Sequence, residues 1–300
     1  MALDFSGRVA IVTGAGGGLG REHALALAAR GARVLVNDLG GAVDGSGGSA
    51  SAAQKVVDEI RAAGGEAIAN GASVTDADAV QAMVRQAVDT WGRVDILVNN
   101  AGILRDKTFA KMELEDFRLV LEVHLMGAVH CTKAAWPHMM AARYGRVVMT
   151  TSSSGLYGNF GQSNYGAAKL ALVGLMQTLA LEGEKHGIRV NCLAPTATTR
   201  MTEHLFPEDM RAAFGPRAVV PAMLVLASQD APTRTVLCAG AGGFEAAHIT
   251  LTRGAFVGTG AGADEQLAAR LAQVLDRAGE VVPGSGSAQG ANELRLARGG

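Results

Sequence analysis

The chain has 300 residues, 48% hydrophobic and 18% charged, with 27 Lys and Arg against 28 Asp and Glu for a net charge of −1. That is enough apolar material for one large α/β domain, and it excludes a chain disordered over most of its length. With no basic surplus, neither nucleic acid nor an anionic membrane is an expected partner.

Asp4 and Arg8 interrupt any apolar core of a signal peptide, so no leader is expected. Arg8–Thr13 (RVAIVT) reads as a first strand and Leu19–Arg30 as a helix stopped by Gly31. Arg33–Asn37 is a second strand, Gln54–Ala63 a helix, and Glu66–Asn70 a short third strand. Asp76–Trp91 reads as a helix with its start signal in Thr75, and Arg93–Val98 as a fourth strand. Leu114–Arg143 holds one or two helices, Arg146–Thr151 is a fifth strand, and Asn164–His186 is a long helix. Strands follow at Ile188–Leu193 and near Thr235–Ala239. The longest apolar run, Ala218–Ala227, is short and contains Pro221, so it does not span a bilayer.

Strands that are apolar throughout are buried on both faces, and helices between them imply a parallel sheet covered on both sides. The expected fold is a single Rossmann-like, doubly wound α/β domain over residues 1–257. A C-terminal extension, 258–300, holds one amphipathic helix (Asp264–Gly279) and a loosely held tail. A Gly/Ser-rich stretch, GGAVDGSGGSASA (40–52), is too long for a plain turn after the second strand. Cys131, Cys192 and Cys238 lie far apart without a CxxC pair, which suggests neither disulfides nor a metal site. They read as small buried residues in a reducing cytoplasm.

Residues 13–20, TGAGGGLG, stand between the first strand and the first helix. Glycines there let the backbone turn tightly and approach a pyrophosphate, and the helix N-terminus offers free N–H groups to it. Gly14, Gly18, Leu19 and Gly20 are therefore candidate dinucleotide contacts. Asp38 ends the second strand, where an acid can bind both ribose hydroxyls and repel a 2′-phosphate. No Lys or Arg occurs in 37–54, and Gly17 rather than a cation precedes Gly18, which favours NAD over NADP. Two observations pull against this: Asp38 can also cap the loop, and Arg21 can reach a phosphate. Asn99-Asn100-Ala101-Gly102 ends the fourth strand at the carboxyl edge, where nucleotides lie in such sheets, so Asn100, Ala101 and Gly102 join the list.

At the same edge stand Ser152, Tyr165 and Lys169. Tyr165 and Lys169 are at i and i+4 and share a helix face. An ammonium one turn away is expected to lower the phenol pKa toward the range of a general acid–base, while a serine hydroxyl aligns a substrate carbonyl. The set suits reversible carbonyl reduction by a nicotinamide.

TGAGGGLG, NNAG, the Ser152 position, YGAAK (165–169) and NCLAP (191–195) together resemble the short-chain dehydrogenase/reductase family over residues 5 to about 245. The resemblance implies Tyr165 as acid–base, Lys169 also on the nicotinamide ribose, and Ser152 on the carbonyl oxygen. It places Pro195 and the segment after it beside the nicotinamide, with Thr199 on the carboxamide. His124 stands where most members carry an asparagine that supports a proton relay, which implies a supporting catalytic role. Ser73-Val74 replaces the usual Asp-Val, leaving adenine contact to the backbone of Val74.

Longer stretches, among them NNAGILRDKTFAKM (99–112) and YGNFGQSNYGAAKLALVGL (157–175), look like the (3R)-hydroxyacyl-CoA dehydrogenase domains of peroxisomal multifunctional enzymes type 2. That likeness implies NAD-dependent interconversion of a (3R)-hydroxyacyl-CoA and a 3-ketoacyl-CoA in a homodimer or homotetramer. From its length and cysteine usage the chain reads as a stand-alone version expected in the cytoplasm, served by a separate enoyl-CoA hydratase. Arg105, Lys107 and Arg200 are candidate cations for the CoA phosphates. Met201, Leu205, Phe206 and Met210 line an acyl or steroid pocket or the core of a short helix. The alternatives are a hydroxysteroid or other secondary-alcohol dehydrogenase, and a non-catalytic partner subunit.

Overall fold

The strands are short; the central ones are rich in Val, Ile and Leu and largely buried, whereas those toward the two edges of the sheet are partly exposed. They are β1 (Val9–Thr13), β2 (Arg33–Asn37), β3 (Glu66–Asn70), β4 (Ile96–Asn99), β5 (Gly145–Thr150), β6 (Ile188–Pro195), β7 (Val236–Gly240) and β8 (Gly243–Ala247). In the computed structural model, which describes residues 3–49, 51–199, 202 and 207–299, they form one sheet in the order β3-β2-β1-β4-β5-β6-β7-β8. All pairings are parallel except β7 with β8. The chain reverses its direction of travel between β1 and β4, and the carboxyl ends of those strands open a crevice there.

The two-residue period of each strand divides the core between the two faces. Ala10, Val12, Val34, Val36, Ile96 and Val98 point to one side, where α1 (Gly18–Ala28) and α2 (Ser51–Ala62) pack. Val9, Ile11, Leu35, Leu97, Val147 and Met149 point to the other, against α3 (Ala77–Trp91) and two longer helices described next.

The region 114–143 is a helix interrupted. α4 (Leu114–Leu121) and α5 (Gly127–Ala142) are joined by a π-helical turn, Glu122–Met126, that carries His124. A short helix, α6 (Ser153–Tyr157), follows β5 with Ser152 as its N-cap, and α7 (Ser163–Gly183) carries Tyr165 and Lys169. α8 (Glu208–Arg211) and α9 (Val220–Ala227) complete this part, and α9 is the apolar run read above as too short for a bilayer. Among the described residues no helix is long and apolar enough to cross a membrane.

Some boundaries differ from the sequence reading for physical reasons. β4 begins at Ile96 because Asp95, fully buried, turns its carboxylate to the Val9 amide (2.9 Å) and to Arg93 and Arg8. The cap of α3 is Asp76, not Thr75: its Oδ1 accepts from the Asp78 and Ala79 amides. β8 and α6 were not expected at all.

Residues up to Ala247 form one compact unit and those from His248 a second. In the second, Leu251 and Val281 exchange backbone hydrogen bonds. The expected helix Asp264–Gly279 is two shorter ones, α10 (Ala263–Ala269) and α11 (Leu271–Val274), and α12 (Ser287–Ala297) occupies what was read as a loose tail.

Candidate active site

The Gly-rich turn is shaped by close backbone approach. Gly14 has φ +61°, and a Cβ there would stand 2.7 Å from Ala101 Cα. A Cβ on Gly20 would stand 2.3 Å from the Gly14 carbonyl oxygen and 2.6 Å from Asn100 Nδ2. Gly20 thus packs beneath the turn, whereas Gly14, Gly18 and Leu19 face a cleft. No side chain caps the start of α1, so its first amides remain available to an anion. Asn100 holds the turn to the end of β4: its Nδ2 donates to the Thr13 and Gly14 carbonyls (3.0 Å each), and Thr13 Oγ1 accepts from the Asn100 and Ala101 amides.

Asp38 reaches the same turn. Its Oδ2 accepts from the Gly16 amide (2.7 Å) and its Oδ1 from the Gly40 amide (2.6 Å). The carboxylate therefore does tie the loop, and each oxygen keeps a further lone pair for another donor. Gly16, not singled out in the sequence, has no room for a Cβ against that carboxylate (2.8 Å). Arg21 is engaged by Glu22 (2.5 Å) and Glu59, and the hydrogen bonds it donates to the Glu59 carboxylate raise its pKa.

The cleft, about 470 Å³, runs from this turn to the end of β5. Its walls include Asp38, Val74, Asn100, Ala101, Gly102, Pro195, Thr199 and Thr202, and its inner end holds His124, Ser152, Tyr165 and Lys169. Leu39, Val43 and Gly45 of the long loop after β2 also line it. Val74 is buried, and its carbonyl accepts from His130 Nδ1 (3.0 Å).

The fold brings the three residues of the acid–base set together. Ser152 is 8% exposed, and its Oγ accepts from the Ser154 amide (3.2 Å). Lys169, 3% exposed, donates from Nζ to the Thr150 carbonyl (2.6 Å) and lies 5.4 Å from the Tyr165 ring centroid. Burial pulls the lysine down to about 7. The expectation that Lys169 lowers the phenol pKa is not met in this geometry. Burial pushes Tyr165 up to about 12, and only its hydrogen bond with Ser152 opposes the rise. The ammonium is turned to the Thr150 carbonyl, and desolvation dominates both groups. Asn164, fully buried, steadies the start of α7: its Oδ1 accepts from the Tyr165 amide (2.7 Å) and its Nδ2 donates to the Arg105 carbonyl (2.9 Å).

His124 packs its ring edge-on to Tyr165, with centroids 5.2 Å apart, and a Cβ on Gly102 would stand 2.3 Å from its Cε1. Its Nε2 lies 3.1 Å from the Ile103 amide nitrogen and 2.8 Å from the Ile103 carbonyl oxygen, while Nδ1 is buried without a protein partner. Burial and the nearby Lys169 hold its pKa well below 6.5, so the ring is neutral.

The proposed CoA cations are committed elsewhere. Arg105 and Lys107 both pair with Asp116, at 3.0 and 3.3 Å. Met210 is exposed on α8, and Arg200, Met201, Leu205 and Phe206 lie outside the described residues. Among the described residues no cluster of His, Cys, Asp or Glu could hold a metal ion.

Residues 8–209 match the short chain dehydrogenase family. The chain belongs to that family. It is 54% identical over 228 residues to the mouse peroxisomal multifunctional enzyme type 2, a match covering 76% of this chain and 31% of the mouse protein. It is 48% identical over 283 residues to a Mycobacterium tuberculosis protein named as a short-chain type dehydrogenase/reductase, Rv0148, covering 92% and 97% of the two chains. The solved full-length peroxisomal multifunctional enzyme type 2 of Drosophila melanogaster superposes with a TM-score of 0.80 at 36% identity, covering 99% of this chain and 50% of that one. The chain thus spans about a third to a half of these two multifunctional relatives. It is an oxidoreductase of the short-chain dehydrogenase/reductase family, which uses a nicotinamide dinucleotide, NAD or NADP, on a small-molecule substrate.

Proposed function

We propose that this protein is an NAD-dependent dehydrogenase that interconverts (3R)-hydroxyacyl-CoA and 3-ketoacyl-CoA. The observation that carries the chemistry is the convergence of Ser152, Tyr165 and Lys169 at the inner end of a cleft whose other end is a glycine cradle beside Asp38. The cradle fits a dinucleotide: Gly14, Gly16 and Gly20 leave room only for backbone, and the uncapped start of α1 suits a pyrophosphate. Asp38 suits a free ribose diol, and Arg21 is drawn off by Glu22 and Glu59, so no cation of the turn is left for a 2′-phosphate. The substrate class rests on the likeness to the multifunctional enzymes.

A nicotinamide held in the cleft would supply the hydride acceptor or donor for C3 of the acyl chain. In the oxidation direction Tyr165 takes the proton of the substrate hydroxyl, and in reduction it returns one. Ser152 hydrogen-bonds the substrate oxygen and the phenol together, which orients both. Lys169, steadied by the Thr150 carbonyl, stands one helical turn from Tyr165 and offers its Nζ as a donor for the nicotinamide ribose. His124 has its Nε2 occupied by a backbone that cannot pass a proton on, so it contributes through Nδ1 as a neutral hydrogen-bonding group.

The test follows NADH absorbance with a (3R)-hydroxyacyl-CoA, its (3S) epimer, a 17β-hydroxysteroid and NADP controls. Fast (3R)-specific NADH formation, reduced by at least about a thousandfold in Tyr165→Phe, is expected. Turnover of the steroid alone would keep the chemistry and discard the thioester.

A further inference from the structure

The loop after β2 is a folded object. Its ends meet: the Ser49 amide donates to the Leu39 carbonyl (2.8 Å). Its body closes on itself, with Ala42 N donating to the Ser46 carbonyl (2.7 Å) and the Asp44 carboxylate accepting from the Ser46 amide and hydroxyl. From its base beside Asp38 it reaches over to the segment that follows β4. There the Leu104 amide donates to the Val43 carbonyl (3.0 Å), and Arg105 Nε donates to the Asp44 carbonyl (2.7 Å).

Arg105 is the common member. Its NH1 pairs with Asp116 of α4, which fixes the guanidinium, and its own carbonyl accepts from Asn164, the residue that holds the Tyr165 amide. The planar guanidinium of an arginine presents donors to both acceptors in one fixed geometry, where an ammonium has only a compact charge with freely rotating donors. One residue therefore links the tip of the loop, the helix on the opposite bank and the start of the helix that carries Tyr165.

We propose that Arg105 is a latch that holds residues 39–49 as a strap across the dinucleotide cleft, so that release of the dinucleotide waits on its opening. The inference rests on the reading of the cleft as a dinucleotide site. A dinucleotide extended from the glycine turn to Tyr165 lies along the wall that the strap supplies through Leu39, Val43 and Gly45. The strap's bonds to the far bank are few and close to solvent, so it opens by local fluctuation without unfolding the sheet. Arg105 is a positioning residue in this scheme and touches no reacting atom.

Three proteins test it: Arg105→Ala, Arg105→Lys, and a chain in which residues 41–48 are replaced by one glycine, a graft the adjoining ends of the loop permit. Without ligand, hydrogen exchange at the Leu104 amide and at 42–46 is expected to quicken in Arg105→Ala, less in Arg105→Lys. Stopped-flow NADH fluorescence is expected to show dissociation about tenfold faster in Arg105→Ala and in the shortened chain, with association changed less. In the shortened background, Arg105→Ala should add nothing, since latch and strap act as one unit. Unchanged exchange in Arg105→Ala overturns the latch. Faster exchange with unchanged NADH dissociation, or additive effects in the double variant, overturns its retaining role. Wild-type protein that does not bind NADH removes the dinucleotide reading and the retaining role with it, while the exchange arm still decides whether Arg105 fastens the loop.

Discussion

At the scale of single residues the site is governed by desolvation. Tyr165 and Lys169 sit where the sequence places them, yet burial moves the phenol up to about 12 and the ammonium down to about 7. Both shifts favour neutral groups, so the phenol is protonated across the neutral range. The consequence for rate has a definite sign. Oxidation of an alcohol needs the phenolate, whose fraction rises about tenfold per pH unit below the phenol pKa, so kcat/KM for oxidation should climb from pH 7 to 10. Reduction needs the phenol and should stay flat from pH 7 to 9. Measuring kcat/KM in both directions over that range checks this. An oxidation profile that levels off below pH 8 would mean that the lysine potential, not burial, sets the phenol.

At the scale of elements, two helix starts do different work. Asp76 caps α3 with its own carboxylate, while Gly17 leaves the start of α1 uncapped beside the cleft. Asp76→Ala should cost about 1 kcal/mol of stability, read by denaturant unfolding, and leave NADH affinity unchanged. Gly20→Ala drives a Cβ to 2.3 Å of the Gly14 carbonyl, backbone that cannot step aside. It should cost about 1–3 kcal/mol and abolish NADH binding as well. Equal NADH affinity in the two variants would remove the turn from the binding site. The legibility of the elements follows the same physics. β1, β2 and β5 announce themselves because buried parallel strands carry an unbroken apolar run on both faces, AIV, VLV and VVM here, and the glycine turn because the chain must double back between strand and helix. β8 was invisible because an edge strand, GFEAA, is largely exposed and carries no apolar period. α6 was hidden because five residues hold too little pattern, although Ser152 as its cap was the available signal. The strap was hidden for a different reason: it is fastened through the carbonyls of Val43 and Asp44, and a backbone acceptor leaves no trace in residue type.

At the scale of the whole molecule, the sheet hides two histidines among its packed helices. His23, fully buried on α1, has neither ring nitrogen bonded to a protein group, and burial holds its pKa down to about 4. His124 is lowered for the same cause, with Lys169 adding to it. A base whose folded pKa is depressed contributes stability that is present above its unfolded pKa and is lost as pH falls through the folded one. For His23 the window runs from 6.5, where the unfolded chain begins to take up the proton, to about 4, where the folded chain must. The loss across it is on the order of 3 kcal/mol, a large share of a domain's net stability. Lys169 acts in a separate window, between 10.5 and about 7, so it does not obscure the acid limb. Carboxylates also titrate on that limb, and comparison with His23→Leu cancels them, since the substitution leaves every acid in place. Urea unfolding at pH 7.5, 6.0, 5.0 and 4.5 should therefore show the wild-type stability falling more steeply than that of His23→Leu, with the gap widening toward pH 4.5. Parallel curves would mean that the folded core already accommodates a charged ring at position 23, and that the acid limb belongs to His124 and the carboxylates.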